Sequence, residues 1–310
     1  MDSFDLHQHL WPEAVLRVLE GRASAPRARW EGDRWRIDLP GEPSFHVDPR
    51  EHDIAAREDG LEVDRAIVGL SSPVGAEELP ARDALAVVAA WHEATGALPA
   101  RLGWWAAGPA ELPPADESDI VTQALSDGAA GLCLPATRLA SPERAETVLP
   151  LLGAVADAGA PVFIHPGPVA GRGSAPAWWS PATAYVAQQH TAWHAFHAVV
   201  RPSLPGLRVV FALLAGLAPL HVERTVLRGG TVGESALGDQ LSFYDTSSYG
   251  PRAVRSIATA VGIGQLVHGT DYPVAVLAAD PVAEAFSNGW AEIVRRNAPS
   301  RALGYTWVPA

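Results

Sequence analysis

Short apolar runs alternate along this chain with longer stretches of helical periodicity. Eight runs read as strands: Phe4–His9, Arg65–Leu70, Arg101–Ala106, Ala130–Leu134, Val162–His165, Arg208–Leu213, Leu241–Asp245 and Gln265–Gly269. Between them, apolar residues recur at three- and four-residue spacing, as in Arg82–Thr95, Glu143–Ala158 and Ala253–Val261. Strand–helix alternation implies a parallel sheet. Eight such units in 310 residues match the repeat of an α/β fold, the (β/α)8 TIM barrel. A doubly wound open sheet is the competing architecture, and no G-x-G-x-x-G turn supports its dinucleotide-binding form. No linker, low-complexity tract or internal repeat divides residues 1–310, so a single barrel domain is expected.

One segment breaks the alternation. Trp30 to Val47 opens with Trp30-Glu31-Gly32-Asp33-Arg34-Trp35, which reads as a small hairpin inserted after strand one. Segments that follow barrel strands form the catalytic mouth. The hairpin is therefore either a cap on that mouth or a surface ornament.

Composition removes several function classes. The formal net charge is −12 and no basic run is present, which argues against nucleic acid and anionic membrane surfaces as partners. Cys133 is the sole cysteine, so no intrachain disulfide or thiolate metal cluster can form. The start lacks a signal-peptide pattern and no run is long enough to span a membrane, so the cytoplasm is the expected location. There is no lysine, which excludes Schiff-base chemistry and a two-metal centre bridged by a carboxylated lysine. Apolar helical segments such as 84–90 make a homodimer credible.

The candidate chemistry sits at strand ends. In Asp5-Leu6-His7-Gln8-His9, His7 and His9 are two apart and project together from a strand. The apolar strand Val162-Phe163-Ile164 ends in His165 before a Pro/Gly turn, and Asp271 follows strand eight in His268-Gly269-Thr270-Asp271-Tyr272-Pro273. Parallel barrel strands gather their C-terminal ends at one face. Three imidazoles and a carboxylate there would hold one divalent metal, zinc first and manganese second, with room for a water of lowered pKa. Asp271 could serve as ligand and general base. Taken singly, His165 could be a hydrogen-bonded core residue and Asp271 a turn or cap residue.

These segments resemble the amidohydrolase superfamily, and more closely its amidohydrolase-related branch with aminocarboxymuconate-semialdehyde decarboxylase and aromatic-acid decarboxylases. The likeness runs from about Phe4 to Ala298 through the H-x-H opening, Ile164-His165-Pro166-Gly167, Tyr244-Asp245-Thr246-Ser247 and Gly269-Thr270-Asp271-Tyr272-Pro273. It implies a metal-binding (β/α)8 barrel. One departure stands out: Leu213, in Phe211-Ala212-Leu213-Leu214-Ala215-Gly216, occupies the place of the family's strand-six histidine.

Other residues are candidates for substrate contact. His190, His194 and His197 share one helical face. Thr191 stands where a metalloprotease glutamate would be, so a separate zinc site is disfavoured. One of the three, His194 foremost, is expected to lean over the mouth as a proton donor; a packed helix face is the alternative. Trp178, Trp179 and Tyr185 follow strand five and suit a flat substrate, and Trp105 ends strand three. Arg172 could clamp a substrate carboxylate. The leading expectation is a metal-dependent hydrolase of a small, carboxylated cyclic amide or lactone. Non-oxidative decarboxylation of an aromatic or unsaturated acid is the second, and a non-catalytic ligand-binding barrel the third.

Overall fold

The computed structural model describes residues 1–169, 171, 175–275 and 279–304. Eleven strands occur among them. β1 is Phe4–His9, followed by β2 Arg27–Glu31, β3 Arg34–Asp38 and β4 Phe45–Val47. Then come β5 Arg65–Gly69, β6 Leu102–Ala106, β7 Gly131–Pro135, β8 Val162–His165, β9 Val209–Phe211, β10 Ser242–Asp245 and β11 Leu266–Val267. All eight strands expected from the apolar pattern are present, with ends shifted by two residues at most.

β1 and β5–β11 form one parallel sheet in the order β1-β5-β6-β7-β8-β9-β10-β11. The chain after β11 closes it onto β1. Leu6 N–H donates to the His268 carbonyl at 3.0 Å, Asp271 N–H to the His7 carbonyl at 2.7 Å, and His9 N–H to the Tyr272 carbonyl at 2.8 Å. The result is a (β/α)8 barrel. No helix among the described residues is long and apolar enough to cross a membrane.

The barrel interior is filled by Ile67, Trp105, Cys133, Phe163, Val210 and Phe243, all nearly or fully buried. Glycine makes room for the largest of them: a Cβ at Gly131 would lie 2.7 Å from the Trp105 ring. A second, larger cluster packs the outer strand faces against the helices. There the expected helix over 143–158 is broken into Pro142–Thr147 and Leu149–Asp157. Pro150 has no N–H and is accommodated only in a first turn.

The insertion is a three-stranded antiparallel sheet, β2-β3-β4, rather than a simple hairpin. Gly32, at φ 72°, turns β2 into β3, and Trp30 pairs with Trp35 across them. Leu39, Glu42 and Pro43 from the β3–β4 connection, with Phe45 and Val47 of β4, wall the cavity over the barrel mouth. The insertion is thus a cap.

Trp105 should dominate barrel stability. Its ring stacks on Phe163 and its indole N–H donates to the Leu6 carbonyl at 3.0 Å. In urea melts, Trp105→Ala is expected to lose about 3–5 kcal/mol. Trp105→Phe should lose about 1–3 kcal/mol, because the buried Leu6 carbonyl loses the indole donor. Equal losses would mean that the hydrogen bond contributes nothing.

Candidate metal centre

β1 delivers two imidazoles by way of an irregularity. Its register with β5 runs Asp5 opposite Ala66 and then Gln8 opposite Val68. Leu6 and His7 therefore share Ile67 as partner, which is a β-bulge. The bulge leaves Asp5 and Gln8 on one face, where the Gln8 amide donates to Asp5 at 2.7 Å. His7 and His9 face the mouth. Asp5 also accepts from the His7 backbone N–H at 3.1 Å and from the Thr270 hydroxyl at 2.6 Å, tying β1 to the segment that carries Asp271.

His165 arrives at the end of β8, and Asp271 after β11. The four side chains are buried, and one ligand atom from each lies within 4.8 Å of all the others. His7 Nε2 is 3.3 Å from His9 Nε2 and 3.1 Å from His165 Nε2. Asp271 Oδ1 is 3.4 Å from His7 Nε2 and 3.2 Å from His9 Nε2. Donors about 2.1 Å from a common tetrahedral ion would stand about 3.4 Å apart. The set is chemically suited to a divalent ion of borderline hardness.

The other nitrogen of each ring explains why these atoms converge. His7 Nδ1 bonds to Asp245 Oδ2 at 2.7 Å and lies 3.0 Å from Ser247 Oγ. His9 Nδ1 donates to the Gly69 carbonyl at 3.2 Å, and His165 Nδ1 to the Pro166 carbonyl at 3.0 Å. Each Nδ1 carries its proton toward an acceptor, so each Nε2 can turn a lone pair inward. Asp245 is itself held by the Ser247 hydroxyl and backbone N–H, at 2.5 and 3.0 Å. A Cβ at Gly269 would overlap the Asp245 carboxylate, so glycine is required for strand eight to lie this close. Asp271 and Ser248 hold φ values of 61° and 62°, the left-handed region that costs a non-glycine residue about 1–3 kcal/mol. Ser248 Oγ donates to Asp271 Oδ2 at 3.1 Å.

Charge in the cluster is strongly coupled. Burial opposes a cation at His7, but Asp245 and Asp271 outweigh it and raise the imidazole to about 9. His165 is pushed well below its ordinary range by burial and by its two histidine neighbours. Burial works against a charged Asp271, yet the three imidazoles hold its carboxyl well below the usual range. This pocket is built to contain one added positive charge, whether a proton or a metal ion.

The cavity above the cluster has a volume of about 570 Å³. His7, His9, His165 and Asp271 line it, and so does Tyr185, whose hydroxyl donates to Glu42 at 2.5 Å. Leu213 is in the wall. The strand predicted to reach it ends at Phe211, and Leu213 to Leu217 form a left-handed turn with φ between 47° and 61°. At Gly216 this turn approaches so closely that a Cβ would overlap the Val186 carbonyl.

Four expected site residues lie elsewhere. His194, with His190, is on the outer face of the helix Ala184–Ala195 and lines a separate groove with His221. The inner face of that helix is taken by Trp193 and Ala192, both fully buried, so His194 does not lean over the mouth. Trp105 is fully buried in the barrel interior and lines no part of the cavity, because residues of one parity on β6 point inward beneath the mouth. Trp178 and Trp179 pack on each other and are 61% and 46% exposed, outside the cavity wall. Arg172 lies outside the described residues. His268 faces a different groove beside Asp5 and Thr270.

Sequence reasoning assigned no role to Asp245, Ser247, Glu42 or His52. Asp245 carried a signal, since it too ends an apolar strand. Glu42 and His52 sit in loops, with nothing local to mark them.

Two outcomes follow for metal binding. At pH 7 the metal-free His7 holds a proton on Nε2 that an ion must displace. Apparent affinity should therefore climb about tenfold per pH unit and level off above about 9. Calorimetry in buffers of different ionisation enthalpy should read about one proton released at pH 7. Asp245→Asn, which removes the anchor of the His7 ring, should weaken binding by about 10–100-fold while the fold persists.

No protein-family model matches the chain, and no curated protein matches it. Solved structures do. The IDCase of Metarhizium anisopliae, in apo form, is 18% identical with a TM-score of 0.79 over 97% of each chain. The 5-carboxyvanillate decarboxylase of Sphingomonas paucimobilis is 15% identical with a TM-score of 0.72, over 98% of this chain and 99% of that one. The 5-carboxyvanillate decarboxylase of Novosphingobium aromaticivorans, complexed with manganese and 4-hydroxy-3-methoxy-5-nitrobenzoic acid, is 15% identical with a TM-score of 0.63, over 81% of this chain and 79% of that one. The chain has the barrel fold of these decarboxylases, the fold that its likeness to the amidohydrolase-related branch implies.

Proposed function

We propose that this protein is a metal-dependent, non-oxidative decarboxylase of a small aromatic or unsaturated carboxylic acid. The observation that carries the proposal is the convergence of His7, His9, His165 and Asp271 at the floor of a walled cavity at the barrel mouth. Likeness in fold to enzymes named as decarboxylases favours this chemistry over the hydrolysis suggested by the sequence.

A divalent ion held by His7, His9, His165 and Asp271 would supply a Lewis acid to anchor the substrate carboxylate and an adjacent oxygen. Manganese, present in a structure of similar fold, is the first ion to load, and zinc the second. No arginine is among the described lining residues, so the reacting carboxylate has no guanidinium to draw it away from the cluster. The walls carry Trp11, Phe45, Val74 and Leu213, suited to a flat apolar ring. Glu42 offers an acceptor to a hydroxyl, amino or ring N–H group on that ring.

Loss of carbon dioxide leaves an electron pair on the ring carbon, and a proton must replace the carboxylate there. Asp271, oriented by Ser248, is the group placed to carry it. Because its carboxyl is held well below the usual range, it starts as a base. It must collect a proton from the substrate or from water before delivering it to carbon.

Hydrolysis of a cyclic amide or lactone is the second reading. Leu213 favours it: no histidine stands at that position, and Asp271 alone could deprotonate an attacking water.

Metal-loaded protein should release carbon dioxide from at least one member of a panel of hydroxylated aromatic acids and unsaturated carboxylic acids. Chelation should abolish the release, and manganese or zinc should restore it. Asp271→Asn should lower kcat by about 10²–10⁴-fold. Ring opening of lactones without carbon dioxide release would establish the hydrolase instead.

A further inference from the structure

His52 follows the insertion, at the end of the short turn Pro49–His52, and its ring is buried. Its Nδ1 accepts the backbone N–H of Trp11 at 3.1 Å. An imidazole nitrogen that accepts a backbone N–H cannot itself carry a proton, so the proton of this ring is on Nε2. The side chain lines the same cavity as His7, His9 and His165. No hydrogen bond from Nε2 to any described residue is formed, and Nε2 is not among the buried atoms left without a partner. It is a donor open to the cavity.

Three hydroxyl donors in the wall are committed. The Tyr185 hydroxyl is spent on Glu42, the Ser248 hydroxyl on Asp271 and the Ser44 hydroxyl on Asp38. The Ser71 hydroxyl and the Trp11 indole N–H, also in the wall, form no hydrogen bond among the described residues. Leu213 supplies nothing polar. We propose that His52 binds substrate, donating from Nε2–H to an oxygen of an aromatic or unsaturated acid held over the cluster. This rests on the decarboxylase reading only for the identity of the acid. The ring keeps its role as a neutral donor because burial and the Arg57 guanidinium hold it down at about 3.

The test uses the full chain, loaded with diamagnetic zinc for the spectra and with manganese for calorimetry. Two-bond ¹⁵N–¹H spectra should show His52 as the Nε2–H tautomer, unchanged from pH 5 to 8 and shifted on adding 4-hydroxy-3-methoxy-5-nitrobenzoic acid or a hydroxybenzoate. Calorimetry should show His52→Leu weakening that binding by about 10–100-fold, with metal content unchanged. His52→Gln, which keeps a side-chain N–H, should stay within about fivefold of the parent. On any acid that is turned over, His52→Leu should raise KM in the same proportion. An Nδ1–H tautomer, a ring indifferent to ligand, or equal losses in the Leu and Gln variants would overturn the proposal. So would the absence of binding by every acid in the panel. Binding that depends on His52 without carbon dioxide release would retain His52 as a ligand contact and discard the decarboxylase.

Discussion

The hydrogen bond from the Asp271 N–H to the His7 carbonyl, 2.7 Å long, joins the last strand region to the first. The candidate centre depends on it. Until the barrel closes, His7 and His9 lie on one edge of the sheet, and Asp245 and Asp271 on the other. Closure drives two carboxylates and three imidazoles into one buried volume. Gly269 permits the approach, and the Asp5 carboxylate fastens it by accepting from Thr270. Fold and site are therefore assembled by the same contacts, with no separate step to build the site afterwards.

That arrangement is electrostatically unbalanced by design of its donors. Every Nδ1 is tied to an acceptor outside the cluster, so the inward nitrogens have only one another and Asp271 to face. The elevated His7 and the depressed Asp271 express one fact: the cluster is stable with a cation at its centre. Left-handed residues at Asp271 and Ser248 add backbone strain at the same place, which a bound ion would help to offset.

Above the centre, the cavity differs from what the strand ends alone would make. Its cap comes from the β2-β3-β4 sheet, which turns Glu42 and Phe45 toward the mouth, and from the turn bearing His52. The left-handed turn at Leu213 presents an apolar side chain to the cavity. Polar side chains of the wall therefore come from the inserted segment as well as from the barrel's strand ends. Enzymes on this fold vary by their loops, and here the variation includes the placement of hydrogen-bond donors.

Much of this was legible from local pattern. Period-two and period-3.6 hydrophobicity located all eight barrel strands, and residue type at the strand ends singled out His7, His9, His165 and Asp271. The failures share a cause. His194 and Trp105 were judged by nearness in sequence to the mouth, but which face of a helix or strand turns inward is decided by packing against other elements. Trp178 and Trp179 follow strand five as substrate-pocket residues would, yet the cap closes the cavity without them. Asp245 and His7 are 238 positions apart, and His52 is fixed by a backbone N–H 41 positions away. The chain by itself determined its fold class and its metal-ligand candidates, because both arise from short-range periodicity. Only the tertiary structure decided the tautomers, the charge state and the cavity wall, because each depends on contacts between segments that no local pattern relates.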